Sequence, residues 1–437
     1  RLQCKNCFAI ISICILKLVL NLPMRQRATR GEDEKMEMLK LVIAFAALMI
    51  VIIVFKKPLW LAALIGCGAA WIVFQIPVMD GLETVWKAVS AEATIEVVAI
   101  IYLINVLQLL LVRRGNIARA EQSLLRLFNN RRAIVMMAPV LFGLLPVPNA
   151  VVLSAPIVDS TIGDDLGPVD KAYLTSYYRH VPESALPLYS NIILACSVVE
   201  LSSSKFLLYM LPMALVGMFV PYFQVLRPHV SASTGQKGYG DKKGEVIALC
   251  KSLWPIILLI LVVVALGYKT SLCTLVLLAV LFILYKTPLS EIKTLVIKGF
   301  NANMIFSTAL LMVFKELLAY TGIVEKMPEL FGQLPIPTFL IFALLMFVGG
   351  FTGLSTALIM IALPLAFAAI PESGIPLLVL LMCCSHSGLQ LSPTHICLEI
   401  TAEQFHVSLK DLIIRTIPVT VIYLVFLVAY YLLLTAF

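Results

Sequence analysis

Long apolar runs separated by short polar segments dominate the chain. Runs long enough to cross a bilayer lie near 39–55, 58–76, 94–112, 171–200, 205–226, 251–268, 270–286, 300–320, 375–400 and 411–436. An α-helix rises about 1.5 Å per residue, so about 20 apolar residues cross the roughly 30 Å of hydrocarbon in a membrane. Transmembrane barrels show alternating segments of about 10 residues instead, and these runs do not alternate. The pattern therefore predicts an all-α polytopic membrane protein.

Four apolar segments contain residues that interrupt a continuous helix. Proline, glycine, asparagine and hydroxyl residues lie inside 133–159 and 336–370, and each of these segments predicts a re-entrant hairpin. Prolines or glycines also lie within 171–200 and 375–400, which predict helices broken inside the membrane. Irregular backbone at that depth is tolerated only where protein surrounds it or where it lines a wet cavity. The chemistry of the protein is therefore expected at these four segments.

An internal repeat relates the two halves of the sequence. Four pairs of residues are 206 positions apart, namely Gly143 and Gly349, His180 and His386, Pro187 and Pro393, and Pro212 and Pro418. Earlier in the chain the separation is 207 for Gly115 and Gly322, and 211 for Lys87 and Lys298. A nearly constant separation is typical of a diverged duplication. We predict a first repeat at 38–226, a cytoplasmic linker at 227–250 and a second repeat at 251–437.

The first 37 residues have two interpretations. They are either a membrane anchor or signal segment, or residues upstream of a translation start at Met24, Met36 or Met38. We favour the second, and we treat 1–37 as an N-terminal extension whose place in the native protein is open.

Charge distribution predicts how the repeats lie in the membrane. Lysine and arginine are concentrated in 113–132, 227–251 and 286–298, whereas 80–92 is rich in acidic residues. Because basic loops stay in the cytoplasm, the helix at 39–55 is expected to start outside. Each repeat has an odd number of full crossings, so the two repeats are expected to have opposite orientations. Inverted repeats of five helices, each with a re-entrant hairpin and a broken helix, are typical of secondary transporters.

Composition excludes several other classes of protein. Hydrophobic residues make up 61% of the chain and charged residues 13%, with a mean hydropathy of +0.99 and a net charge of +8. Soluble domains have about 45–50% apolar and about 25% charged residues, so a soluble enzyme or nucleic-acid-binding protein is excluded. The sequence contains no GxxxxGK[ST], HExxH or GxSxG motif. Most of the ten cysteines lie in apolar runs, where a free thiol behaves as a small hydrophobic group, and we predict no metal site.

Polar residues at the hairpin tips and helix breaks are the candidate ligands of a solute or an ion. Hydroxyl and amide oxygens suit a hard cation, and ionisable side chains inside a membrane are costly and by default functional. The candidates are Asn149, Ser154, His180, Glu183, Thr352, Ser355, Thr356, His386, Ser392, Thr394 and His395. Asp159 and Glu399 are candidates for proton handling, and Arg179 could meet a carboxylate bidentately. The alternative is structural, in which these groups hydrogen-bond the carbonyls of broken helices or are solvated helix ends.

Two of these segments also resemble a known group of carriers. LPVPNAVVLSAPIVD (145–159) and SHSGLQLSPTHICLEITAEQF (385–405) are similar to the signatures of an uncharacterised membrane-protein family grouped with the ion transporter superfamily. That superfamily includes dicarboxylate/sodium symporters, citrate carriers and arsenite-type permeases. The resemblance implies inverted five-helix repeats, a homodimer and one domain that moves past another. The Ser-Asn-Thr triplets of the sodium/dicarboxylate branch are replaced here by Pro148-Asn149-Ala150 and Leu354-Ser355-Thr356.

Together these features predict a secondary active transporter in the cytoplasmic (inner) membrane. Its solute is expected to be small, organic and anionic, and H⁺ or Na⁺ is expected to drive it by alternating access. The expected partners are that solute, the lipid bilayer and, by analogy, a second copy of the chain, with no nucleic acid. No cofactor is expected beyond Na⁺ as a coupling ion. The alternatives are a channel or non-transporting scaffold, and an intramembrane enzyme that holds a metal between His180, Glu183, His386 and His395.

Overall fold

The computed structural model describes residues 30–53, 55, 57–127, 130–144, 150–232, 242–266, 268–323, 326 and 336–436. These residues form helices joined by short connections, and no strand occurs among them. Six helical stretches are long and apolar enough to cross a membrane, namely Glu92–Arg113, Ser203–His229, Lys243–Val263, Ala302–Tyr320, Pro371–Gln390 and Leu409–Ala436. The predicted all-α, multi-pass membrane class is therefore confirmed.

The described residues of the first half form a series of helices. In order they are α1 (Arg30–Ile53), α2 (Leu59–Val73), α3 (Val78–Ser90), α4 (Glu92–Arg113), α5 (Asn116–Leu127), α6 (Arg131–Phe142), α7 (Ala150–Ile162), α8 (Pro168–Ala185), α9 (Ser190–Val198) and α10 (Ser203–Pro221). Of these helices, α3 and α5 are the most amphipathic. A π-helical turn at Tyr222–Leu226 continues α10 as far as His229. Most of the predicted N-terminal extension, residues 1–29, lies outside the described residues.

The second half repeats this order of helices, except that no counterpart of α5 lies among the described residues. They are α11 (Lys242–Leu266), α12 (Thr270–Leu284), α13 (Leu289–Gly299), α14 (Ala302–Tyr320), α15 (Thr338–Thr352), α16 (Ser355–Ala369), α17 (Gly374–Gln390), α18 (Ile396–Gln404) and α19 (Leu409–Ala436). The start of α11 lies inside the predicted linker at 227–250, which is thus partly helical. Lysine and glutamate are good helix formers, so the polar residues from Lys242 extend the apolar helix upstream.

Each predicted hairpin consists of two short helices. In the second hairpin α15 ends at Gly353, whose φ of 78° turns the chain directly into α16. Such a left-handed conformation favours glycine because a Cβ atom would clash with the backbone. The first hairpin pairs α6 with α7, and its tip at 145–149 lies outside the described residues.

Both predicted broken helices are divided in the structure. The first consists of α8 and α9, with a break at 186–189 that contains Pro187. The second consists of α17 and α18, with a break at 391–395 that contains Pro393. Proline supplies no N–H and disfavours a helical conformation in the residue before it, so each break falls beside a proline.

Backbone conformation recurs at the separations of the sequence repeat. The turns after equivalent helices contain residues with positive φ, namely Gln75 (53°) and Lys286 (44°), Gly115 (66°) and Gly322 (68°), and Glu200 (56°) and His406 (54°). The members of these pairs are 211, 207 and 206 positions apart. Four of the six are residues other than glycine. Such residues rarely adopt a positive φ, so its recurrence at the same separations is specific.

Packing between the two halves is reciprocal. Helix α4 packs against α12 and α13, and its counterpart α14 packs against α2 and α3. Likewise α9 packs against α16, and α18 packs against α7. Equivalent helices thus exchange partners, as they would if a two-fold axis related the repeats. Their opposite orientation in the membrane stays a prediction.

Ion pairs between distant segments join residues of the same predicted side. On the basic side the pairs are Arg113–Glu291 at 3.0 Å, Arg126–Glu245 at 3.6 Å and Arg131–Asp165 at 2.8 Å. On the other side they are Glu37–Lys326 at 2.5 Å and Glu92–Lys269. The loops that the charge distribution assigns to one side of the membrane are therefore neighbours in the fold.

Candidate functional site

The two helix breaks and the tip of the second hairpin enclose a cavity of about 230 Å³. Its lining comprises Arg179, Glu183, Ser184, Tyr189, Ser190, Asn191, Ile192, Ser355, Ile359, Met382, Ser385, His386, Leu389, His395 and Cys397. Four pairs among them are 206 positions apart, namely Arg179 and Ser385, Glu183 and Leu389, Tyr189 and His395, and Asn191 and Cys397. The cavity therefore lies where equivalent segments of the two halves face each other. The chemistry is not equivalent, because both formally charged residues come from the first half.

An ion pair forms the charged wall of this cavity. Nη1 of Arg179 donates a hydrogen bond to Oε2 of Glu183 at 2.6 Å, one helical turn further along α8. Only 3% of the Arg179 side chain is exposed, against 17% for Glu183. A buried guanidinium needs a nearby negative charge, because its transfer out of water costs several kcal/mol. The pair holds a cationic group at the cavity wall without leaving it uncompensated.

Two histidines join α8 to the second break. Nε2 of His180 lies 2.9 Å from Nε2 of His395, although the residues are 215 positions apart. Nδ1 of His180 lies 2.6 Å from the carbonyl oxygen of Ser176. A carbonyl only accepts hydrogen bonds, so Nδ1 of His180 carries the hydrogen and its Nε2 presents a lone pair. His395 then donates to that nitrogen.

A third histidine lies nearby without joining this contact. The ring centroid of His386 is 6.5 Å from that of His180. Nε2 of His386 is 3.4 Å from the amide nitrogen of Gln390 in the same helix. His386 therefore adds a polar group to the cavity but does not connect α8 to the second break.

Cys397 completes a compact group with the paired histidines. Nε2 or Nδ1 of His180 and His395 and Sγ of Cys397 all lie within 4.8 Å of one another. The Cys397 side chain lines the cavity although the residue is largely buried. These are potential metal ligands. The sequence placed His180 and His395 at a metal only in the alternative of an intramembrane enzyme, and Cys397 was treated as a hydrophobic residue.

The second hairpin tip lies against both breaks. Oγ1 of Thr356 donates to Oδ1 of Asn191 at 3.0 Å, which joins the tip to the start of α9. A Cβ atom on Gly353 would lie 2.7 Å from Oγ1 of Thr394, so the tip also touches the second break. Ser355 is 7% exposed, and its Oγ has no hydrogen-bond partner among the described residues.

Three helices begin at the cavity without a side-chain cap. They are α9, α16 and α18, whose first residues are Ser190, Ser355 and Ile396. The first amides of a helix have no partner within the helix, and the helix dipole places partial positive charge there. The wall of the cavity thus carries the positive ends of three helices.

The remaining predicted site residues lie elsewhere or bond locally. The hydroxyl groups of Ser154 and Thr352 donate to carbonyl groups of their own helices, at 3.2 Å from Val151 and 2.8 Å from Val348. Ser392 and Thr394 contact each other at 2.9 Å within the second break. Asn149 lies outside the described residues.

The two predicted proton-handling residues lie apart from the cavity lining. Asp159 is 58% exposed and forms an ion pair with Lys171 at 2.7 Å. Glu399 is exposed on α18. The structure therefore does not bring either carboxylate together with the histidines.

Sequence reasoning missed four residues that contact the centre of this site, namely Tyr189, Asn191, Ser385 and Cys397. The repeat contained a signal for them, because each lies 206 positions from another residue of the lining. The Oη of Tyr189 also donates to the carbonyl oxygen of Gly143 at 2.5 Å, which joins the first hairpin to the first break. A search of both breaks for pairs at the repeat separation would have identified these residues.

Comparison with known proteins places the chain within a family and a fold. The family described as "Protein of unknown function (DUF401)" matches residues 38–434. No curated protein matches the sequence. Among solved structures, the crystal structure of the YdaH transporter of Alcanivorax borkumensis, described as having an unusual topology, is similar over 82% of this chain and 88% of that chain. The TM-score is 0.57 and the sequence identity 13%, so the likeness concerns the fold.

Proposed function

The chain belongs to the DUF401 family, and we propose that it is a secondary active transporter that moves a small organic anion across the cytoplasmic membrane by alternating access. The observation that carries this proposal is the cavity between the two halves, with three uncapped helix starts and Arg179 in its wall.

Electrostatics favour an anion over a cation in this cavity. Arg179 and Glu183 neutralise each other, and the hydrogen bond between His180 and His395 needs only the neutral form of each ring. The remaining electrostatic potential in the cavity then comes from the N-terminal ends of the three helices, and it is positive. Free N–H groups at a helix start hydrogen-bond carboxylate and phosphate groups readily.

The buried hydroxyl of Ser355 provides a further donor for the same solute. It has no partner among the described residues, and leaving a buried polar group unpaired costs about 1–3 kcal/mol. A carboxylate in the cavity would accept from this hydroxyl and from the first amides of α16. The Arg179 guanidinium has a planar fork of donors that matches a carboxylate.

The arrangement of the repeats supports transport rather than static binding. Reciprocal packing and the recurring turns are what two inverted repeats would produce, and carriers of this kind bind solute near the middle of the membrane where the repeats meet. The similar YdaH structure is that of a transporter. Coupling to H⁺ or Na⁺ and a homodimeric state belong to the same proposal. The hydroxyl groups of Thr356 and Ser392 are candidate ligands for Na⁺, and the His180–His395 pair is a candidate for proton transfer.

Anion binding is expected to stabilise the purified protein. Thermal unfolding of the detergent-purified protein is measured with each of a panel of small carboxylates and oxyanions, in Na⁺ or K⁺ and at two pH values. A ligand at 100 times its Kd stabilises the folded state by about 2.7 kcal/mol. A shift that requires Na⁺ supports sodium coupling, and a shift that depends on pH but not on Na⁺ supports proton coupling. No shift with any anion contradicts the proposed solute class.

A matched pair of serine variants locates the anion. Ser355→Ala is expected to weaken binding of the stabilising anion about tenfold or more, because a hydrogen bond to a charged group contributes about 1.5–3 kcal/mol. Ser387→Ala is the control, since Ser387 is also buried with an Oγ that has no partner among the described residues, but it does not line this cavity. Equal effects of the two variants would place the anion elsewhere.

Uptake into cells or liposomes tests the hairpin tips. Asn149→Ala and Thr356→Ala are each expected to reduce uptake to below about a tenth while folded protein stays in the membrane, because each removes a polar group from the proposed path. Thr352→Ala is the control, as its hydroxyl bonds a carbonyl of its own helix. Unchanged uptake in both Asn149 and Thr356 variants would remove the tips from the site.

A further inference from the structure

A cluster of two imidazoles and one thiol lies at the junction of α8 and the second break. His180 comes from α8, His395 from the second break and Cys397 from the start of α18. Their ligand atoms all lie within 4.8 Å of one another. Imidazole nitrogen and thiolate sulfur are the ligands that zinc and similar divalent transition metals prefer. We propose that His180, His395 and Cys397 bind one such ion, with Zn²⁺ as the reference case.

His180 is already oriented as a metal ligand. Its Nδ1 bonds the Ser176 carbonyl oxygen at 2.6 Å, so its Nε2 carries no hydrogen, and the lone pair on this nitrogen becomes available to a metal once His395 carries its hydrogen on Nδ1 instead of Nε2. Histidine ligands in metal sites commonly donate their other nitrogen to a backbone carbonyl or a carboxylate, which fixes the ring and the tautomer. This nitrogen faces His395 across 2.9 Å.

Cys397 is buried near the start of α18, where a metal ion would offset the cost of a buried thiolate. It is the second residue of α18, where the helix dipole stabilises negative charge. Its Sγ accompanies two nitrogens at the cavity wall, unlike the other described cysteines, none of which belongs to a group of three potential ligands. The proposal therefore depends on the group of three and not on the thiol alone.

A small contraction of the cluster is needed to coordinate the ion. In a tetrahedral zinc site with bonds of about 2.0–2.3 Å, neighbouring ligand atoms lie roughly 3.3–3.6 Å apart. The two nitrogens, 2.9 Å apart, must therefore separate slightly, and no pair that includes Sγ of Cys397 must approach by more than about 1.5 Å. His395 precedes α18 in an extended conformation, with φ −82° and ψ 110°, so its ring can shift without unwinding a helix.

Three protein ligands leave one position of a tetrahedral ion for water or for an anionic group. His395 and Cys397 line the cavity, so this position is next to the space in which a solute would bind. The ion would also join α8 to the second break, because His180 belongs to one half and the other two ligands to the other half. Binding of the metal itself does not depend on transport.

Cobalt and zinc titration of the purified full-length protein tests the site. All measurements use a Cys4→Ser/Cys7→Ser background, which removes the two thiols of a CxxC pair as competing metal ligands. In the absence of any solute, Co²⁺ is expected to bind at one ion per chain with a thiolate-to-cobalt charge-transfer band. Zn²⁺ is expected to displace it and to raise the melting temperature.

Single substitutions decide which residues bind the ion. Cys397→Ser is expected to remove the charge-transfer band. Cys397→Ser and His395→Gln are each expected to weaken Zn²⁺ binding by at least about 10–100-fold, because the loss of a residue that only hydrogen-bonds a metal ligand already has an effect of that size. Cys250→Ser, which removes an exposed thiol, and His386→Asn, which removes the neighbouring imidazole, are expected to leave both properties unchanged.

Three results would overturn the proposal. The first is the absence of stoichiometric metal binding when His180, His395 and Cys397 are all present. The second is a charge-transfer band that persists in Cys397→Ser. The third is a loss of metal affinity in the control variants equal to that in Cys397→Ser. An anion-dependent thermal shift without metal binding would leave the proposed transport function intact, and metal binding without an anion response would support this site alone.

Discussion

Glu183→Gln is expected to lower the free energy of unfolding by about 3–5 kcal/mol. The substitution keeps the size of the side chain but removes the carboxylate that neutralises Arg179, whose side chain is 3% exposed. At 2.6 Å from the guanidinium, the neutral amide cannot replace a full negative charge. Thermal or denaturant unfolding of the detergent-purified protein measures the effect.

The double variant Arg179→Gln/Glu183→Gln is the matched control for this prediction. It removes both charges, so most of the lost stability is expected to return, because exchanging a buried ion pair for neutral groups is often close to neutral. A double-mutant cycle then isolates the interaction between the two side chains. If Glu183→Gln unfolds with the wild-type midpoint, the pair is solvated in the membrane-bound protein and does not form a buried wall.

Gly388→Ala is expected to destabilise the fold by about 3 kcal/mol or more. A Cβ atom on Gly388 would lie 2.0 Å from the carbonyl oxygen of Phe347 in α15. Gly350 makes the reciprocal contact, with a Cβ atom 1.9 Å from the carbonyl oxygen of Ser385 in α17. Both obstacles are backbone atoms, so the two helices must separate to admit a methyl group, and close helix packing in membranes depends on such small residues.

Gly68→Ala provides the comparison within the same protein. Gly68 lies within α2, and among the described residues no heavy atom beyond its chain neighbours and the adjoining backbone of α2 lies within 4 Å of a Cβ built there. Alanine favours the helix by about 1 kcal/mol over glycine, so this variant is expected to keep or slightly raise stability. Similar losses for Gly68→Ala and Gly388→Ala would mean that glycine flexibility, and not the contact between α15 and α17, explains the result.

The positions of the helix breaks and hairpins could be predicted from local residue preferences. Pro187 and Pro393 each lie in a break, and the hairpins lie at the segments rich in glycine, proline and hydroxyl residues. The repeat separation was also readable, and the backbone turns at Glu200 and His406 follow it. The start of α11 was placed too late, because a basic segment was interpreted as a linker although its residues favour a helix.

Some of the predicted site residues lie at the cavity, and others do not. His180, Glu183, Ser355, His386 and His395 were all predicted, and all lie at or beside the cavity. By contrast, Asp159 and Glu399 are exposed. A carboxylate near a hairpin base has the same sequence signature whether it faces the interior or solvent.

The sequence by itself determined the helical class, the interrupted segments, the recurring separation of 206 residues and the residue types available for chemistry. These follow from the length of hydrocarbon a helix must cross, from the backbone restrictions of proline and glycine, and from a numerical separation. Only the tertiary structure decided that His180 meets His395, that Thr356 meets Asn191 and that Cys397 joins the histidines. These contacts depend on how far each helix is rotated and how closely its neighbour packs, which are properties of the assembled bundle and not of residue spacing along one helix.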